Sequence, residues 1–169
     1  MKKIVASFII IFTAMIIAAC GTSIDKEKIN AEANAKKVFQ EKSKGVNEEI
    51  QSIQFHLPSG VSIKDKSPNN IILEKGKQPY ILFYNPIENK QSEELYEMSK
   101  TNSDKMVVDQ IFKADNRFGY LLIKDAGDNI YEVTAGVGGV KATTNSTVGS
   151  IAKDAELLMT MAASTVVKE

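Results

Sequence analysis

The chain alternates between two hydrophobic rhythms, and each change of rhythm marks an element. Ile4 to Ala19 is a run of 16 residues whose only polar members are Ser7 and Thr13, and it follows Lys2 and Lys3. Residues 22–30 are polar and charge-mixed and read as a tether. Ala31, Ala35, Val38 and Phe39 then recur at i, i+4, i+7 and i+8, which predicts a helix over about 26–43 with Gly45 as a left-handed C-cap. From Ile53 the period drops to two. Ile53, Phe55 and Leu57 alternate with Gln54 and His56, and Pro58-Ser59-Gly60 turns the chain into Val61-Ser62-Ile63. Lys64 to Asn70 reads as a polar loop. Ile71–Leu73 and Tyr80–Tyr84 read as two strands joined by a hairpin at Gly76. A short crossover helix is expected at about 91–101, carrying Leu95 and Met98. Met106–Ala114, Phe118–Lys124 and Asn129–Val137 are three further strands, and the short links between them favour antiparallel neighbours. Val140–Thr144 either continues past a glycine bulge or returns as a separate strand. From about Thr147 a 3.6-residue period resumes through Ile151, Ala155, Leu158, Met159, Ala162 and Val166. The expected class is α+β, an antiparallel sheet of about five to seven strands with an N-terminal, a short crossover and a C-terminal helix.

The first 20 residues carry the most specific signal. A transmembrane helix needs about 20 apolar residues to cross ~30 Å of hydrocarbon, and this run is shorter. A basic start, an apolar stretch and small residues before a cut are the layout of an export signal. Ile17-Ala18-Ala19-Cys20 resembles the lipobox of bacterial lipoproteins, with Cys20 the only cysteine of the chain. That resemblance implies signal-peptidase recognition of Ile17, Ala18 and Ala19, cleavage before Cys20, and a diacylglycerol with acyl chains such as palmitate on the cysteine sulfur. It implies a protein held by membrane lipid on the extracytoplasmic face of the cell membrane. The expected organisation is a signal peptide at 1–19, a lipidated cysteine and tether at 20–30, and one α+β domain at 31–169.

Removing residues 1–19 leaves 150 residues, enough for one core that buries about 68–70% of the unfolded chain's surface. The 21 basic and 21 acidic residues of the chain become 19 and 21. That near-balance, with no basic stripe, argues against nucleic acid as a partner. Arg117 is the lone arginine beside 20 lysines, a usage that fits the A+T-rich genome of a Gram-positive bacterium. With Cys20 lipidated no thiol remains for a disulfide, a thiolate nucleophile or a cysteine metal site.

The remaining candidates are weak as chemistry. His56, the only histidine, is expected to point outward with Gln54, without thiol or spaced metal co-ligand. Gly136-Val137-Gly138-Gly139-Val140-Lys141 lacks the spacing of a phosphate loop and reads as a bulge or turn. Asp125-Ala126-Gly127-Asp128-Asn129 lacks the ligand pattern of a calcium loop and reads as a hairpin turn. Asn145-Ser146-Thr147 reads as a helix N-cap segment. Glu48-Glu49 and Glu93-Glu94 read as solvated charge. No catalytic residue, metal ligand or cofactor is expected beyond the covalent diacylglycerol on Cys20.

Two strands are apolar on both sides: Tyr80, Leu82 and Tyr84 oppose Ile81 and Phe83, and Tyr120 and Leu122 oppose Leu121 and Ile123. Such strands are covered on both faces or expose one. Leu157 and Met161 likewise lie on the second side of the C-terminal helix. With Tyr80 and Tyr84 they are the candidates for a partner patch, unless the N-terminal helix covers them. The order of elements and the string Phe55-His56-Leu57-Pro58-Ser59-Gly60 are similar to PsbP-like sheet-plus-helix folds, a resemblance that implies a fold and no function. The expected function is a non-enzymatic lipoprotein module that binds an envelope protein, an envelope polymer or a small apolar ligand. The alternative is an envelope hydrolase using two carboxylates around a cleft. A solute-binding lipoprotein fits less well, because its two lobes need more than 150 residues.

Overall fold

The computed structural model describes residues 23–50, 52–101, 103–114 and 116–168. The signal segment and Ile17, Ala18, Ala19 and Cys20 lie outside the described residues. The fold is α+β. Helix α1 (Ile24–Gln40) starts at Ser23, whose hydroxyl accepts from the Lys26 N–H, with Asp25 and Glu27 favourably placed in its first turn. Strands β1 (Glu48–Ile50) and β2 (Ile53–Phe55) follow, then β3 (Ser62–Ser67), β4 (Asn70–Lys75) and β5 (Gln78–Tyr84). A crossover carrying α2 (Glu94–Ser99) leads to β6 (Met106–Ala114), β7 (Arg117–Gly127), β8 (Ile130–Val137) and β9 (Val140–Thr147). A 3-10 turn opens α3 (Ile151–Ser164), and β10 (Val166–Val167) closes the order. No helix among the described residues is long and apolar enough to cross a membrane.

The main sheet is antiparallel, in the order β3-β4-β5-β9-β8-β7-β6. The crossover carries the chain from β5 to the far edge, and the meander β6 to β9 works back until β9 pairs with β5. Val140–Thr147 is therefore a separate return strand. A second sheet, β1-β2-β10, ties the segment after α1 to the C-terminus.

The inner face of the main sheet holds Leu73, Tyr80, Leu82, Tyr84, Leu121, Ile123, Val133, Ala135 and Ala142, all buried. Helix α3 lies on β8 and β9, and α1 packs along α3. Two buried acids stitch these layers. Glu27 of α1 accepts from the Ala152 N–H at 3.0 Å, so it caps α3, whose Ser150 makes no side-chain cap bond. Asp154 of α3 accepts from Tyr80 Oη at 2.8 Å, Ser146 Oγ at 2.6 Å and Gln78 Nε2 at 2.9 Å.

Several expectations need correction. Residues from Ile24 onward are helix rather than tether, because an N-cap and an acidic first turn offset the mixed charge. Helix α1 ends at Gln40, and Gly45 is not its left-handed cap. The stretch Lys64–Asn70 is not one loop: the strand that starts at Ser62 continues through Ser67, and as an edge strand it carries Lys64, Asp65 and Lys66, which hide the alternation and blunt the edge. Val166 belongs to β10 and not to the α3 stripe, since Ser164 and Thr165 turn their hydroxyls back onto helix carbonyls. Ser146 sits in β9 and serves Asp154, not the helix N-terminus. Tyr80, Tyr84, Leu157 and Met161 are all buried, so they form no partner patch. The tyrosines face the helix layer, and α3 is enclosed on so many sides that only Lys153 and Glu156 along its length are exposed.

Candidate binding site on the outer sheet face

The opposite face of the main sheet is covered unequally. Near β6 and β7 the crossover folds over it. Tyr96 of α2 packs against Phe118 and Tyr120, with ring centroids 5.4 and 5.5 Å apart, and donates its hydroxyl to Asp109 at 2.9 Å. Near β4, β5 and β9 Ile81 stays 43% exposed, and Ile72 and Phe83 are half-buried. The register sets two adjacent cross-strand rows on this face. One runs Tyr120, Gly136, Lys141, Phe83 and Asn70. The other runs Leu122, Thr134, Thr143, Ile81 and Ile72, with the two threonine hydroxyls 3.1 Å apart.

Gly136 shapes the first row. A Cβ there would overlap the Tyr120 ring and stand 2.6 Å from its hydroxyl oxygen. The tyrosine therefore leans across its neighbouring strand, and only a glycine lets it do so. Its hydroxyl stands over Gly136, which lies between Tyr120 and Lys141 in the register. That hydroxyl is buried and has no hydrogen-bond partner among the described residues. Ser99, at the end of α2, comes near enough to influence its titration but not into hydrogen-bonding geometry. Burial pushes the Tyr120 pKa up, Ser99 counters this in part, and the charge of Glu88 adds to it.

Lys141 stands on the other side of Gly136. Its ammonium reaches Ser99 Oγ at 3.4 Å and lies 5.9 Å from the Phe83 ring centroid. Burial pulls its pKa down, which the charge of Glu132 opposes and that of Lys124 reinforces. Glu132 pairs instead with Lys124 at 3.6 Å, and no carboxylate among the described residues forms an ion pair with Lys141. A half-buried cation without a counterion, beside a buried hydroxyl without an acceptor, is an arrangement two costs deep.

The other candidates resolve into structure. Gly138 and Gly139 form the two-residue β8–β9 turn, where loop 85–90 packs so closely that a side chain at either would collide with it. The Asp128-Asn129 pair, both at positive φ, makes the β7–β8 hairpin turn after a register shift between Asp125 and Gly127. His56 donates from Nδ1 to the Gly45 carbonyl at 2.8 Å, and its backbone N–H donates to Ser164 Oγ at 2.9 Å, so it pins the segment leading into β1. Glu49 pairs with Lys168, and Glu93 with Lys113 at 3.0 Å. Among the described residues no group of three His, Cys, Asp or Glu side chains is placed to hold a metal.

In the sequence Lys141 only closes a glycine-rich string without phosphate-loop spacing, and Tyr120 is only one residue of a two-sided strand. The signal that points to the site is Gly136, a glycine inside an apolar strand, which marks a close approach. No family model matches the chain, and no curated protein matches it.

Proposed function

We propose that this chain is a lipid-anchored extracytoplasmic binding module, without catalysis, that uses the outer face of β5, β9 and β8. The observation that carries the reading is the uneven cover of that face. Ile81 remains exposed next to Phe83 and the unpaired Lys141, while the inner face and the β6–β7 end are closed. A charge held beside apolar surface is costly in the free protein and is relieved when a complementary ligand covers both. The anchoring half of the reading rests on the Ile17-Ala18-Ala19-Cys20 string. Two acyl chains hold a protein on a bilayer where one myristoyl chain binds only reversibly. Intact-mass analysis of the membrane fraction should find a diacylated Cys20 as the first residue, and Cys20→Ala should leave an unprocessed, unlipidated precursor. An intact Met1 on the purified native protein overturns the anchoring.

A further inference from the structure

We infer that the notch between Tyr120, Ser99 and Lys141 binds the monoanionic head of a ligand whose apolar body lies along Phe83, Ile81 and Ile72. This rests on the proposed binding module and assigns it a ligand class. The three polar groups converge from three elements: Tyr120 from β7 across Gly136, Lys141 from β9, and Ser99 from the end of α2. All three have hydrogen atoms to donate. The Tyr120 O–H has no acceptor, and the Lys141 ammonium has only the long contact to Ser99, which leaves the Ser99 hydrogen free to point elsewhere. An anionic oxygen is the group that satisfies such a set, because it accepts several donors and supplies the missing counterion.

The surroundings limit the charge to one. Glu88 and Glu132 stand near enough to act on Tyr120 and Lys141 respectively, and each is engaged elsewhere, Glu88 by Asn85 and Ser92 and Glu132 by Lys124. With Lys124 already paired to Glu132, a dianion would meet the field of Glu88 with only Lys141 left to offset it. A monocarboxylate or a phosphodiester fits. The Tyr120 hydroxyl is closed from solvent, so entry requires a side chain beside it to move; Lys141, held to Ser99 by a contact of 3.4 Å, is only weakly restrained. The row beyond Lys141 then offers Phe83, with Ile81 and Ile72 in the adjacent row, as a continuous apolar strip for the ligand body.

The test uses the full chain in phosphatidylcholine nanodiscs, titrated calorimetrically with hexanoate, dipropyl phosphate, acetate and hexan-1-ol against protein-free nanodiscs. Saturable binding of hexanoate or dipropyl phosphate is expected, and the tighter of the two identifies a carboxylate or a phosphodiester head. Acetate and hexan-1-ol, each lacking one half of the ligand, should bind at least tenfold more weakly. Lys141→Met and Tyr120→Phe should each weaken the anion at least tenfold, while Tyr120→Phe melts no lower than the parent because it removes an unpaired buried hydroxyl. The inference is overturned by absence of saturable binding of both anions, by hexan-1-ol binding as tightly as hexanoate, or by full affinity in Tyr120→Phe. Anion binding that depends on Lys141 in a protein with Met1 intact would keep the notch and remove the anchoring. A ligand bound on Ile81 with no dependence on Lys141 would keep the module and remove the notch.

Discussion

Replacing Asp154 should be among the most damaging single changes outside the apolar core. Its carboxylate, 5% exposed, collects three donors: the Tyr80 hydroxyl, the Ser146 hydroxyl and the Gln78 amide. Gln78 has other acceptors, since it also donates to Thr144 Oγ1 and the Asn145 carbonyl, both at 3.2 Å. Tyr80 and Ser146 are 1% exposed, and water cannot replace the lost acceptor. Stranding a buried donor costs about 1–3 kcal/mol, and Asp154→Ala strands two while relieving the burial of one charge. The net loss is about 2–4 kcal/mol, and at 2–4 °C per kcal/mol for a chain of this size the melting temperature should fall by roughly 5–15 °C. Asp154→Asn keeps one acceptor oxygen and the shape, so it should fall less than half as far. Urea unfolding followed by circular dichroism measures both. An alanine variant within about 1 kcal/mol of the parent, or an asparagine variant as damaged as alanine, would refute the network as a source of stability.

Glu27→Ala should cost about 1–2 kcal/mol by uncapping α3, and Glu27→Gln, which keeps the acceptor, clearly less; equal losses in urea unfolding would count against the cap. Leu157→Lys places an unpaired charge where the structure leaves 9% exposure, so the protein should lose about 3 kcal/mol or more, and a parent-like melting temperature would refute the burial. Alkaline stability should report Tyr120. In the unfolded chain a tyrosine ionises near pH 10, whereas the folded Tyr120 holds its proton to higher pH. Its contribution is intact below about pH 10 and declines above it by up to about 1.36 kcal/mol per pH unit. Tyr120→Phe should therefore lose less stability than the parent between about pH 10 and 11, and parallel curves would contradict the shift.

Periodicity was a good guide wherever one face met the core and the other met water or a helix. Ile53–Phe55, Met106–Ala114 and the α3 stripe from Ile151 to Ala162 stand in the elements their spacing predicts. It failed where pairing rather than burial makes the element. β3 is a strand because β4 offers it a hydrogen-bonding edge, and its charged residues carry no apolar alternation. Val166 and Val167 pair with β2, and the helical spacing of Val166 is coincidental. The site was harder to read because its chemistry comes from register. Tyr120 stands 16 residues before Gly136 and 21 before Lys141, and the three become neighbours only once β7, β8 and β9 are aligned. A two-sided apolar strand such as Tyr80–Tyr84 shows that both faces have work to do, but not which is covered: the tyrosines went inside and Ile81 stayed out.

The proposed anchor and the inferred notch also constrain each other. Only Gly21, Thr22 and Ser23 separate Cys20 from the first residue of α1, and the four steps from Cys20 to Ile24 reach at most about 14 Å. With Cys20 lipidated, the start of α1 must stay close to the bilayer. The same end of the fold holds the N-terminus of α3, which Glu27 caps, and the end of β9 that feeds it. Lys141 lies at the opposite end of β9, six residues before Thr147, or about 20 Å along the strand. The end of α1 points the same way, since Arg117 at the β6–β7 turn donates to the Phe39 carbonyl. On the proposed anchoring the inferred notch would lie at the end of the fold remote from Cys20, about the length of β9 away. A ligand reaching it from the aqueous side is then the simpler route, and a soluble anion in the titration is the matching probe.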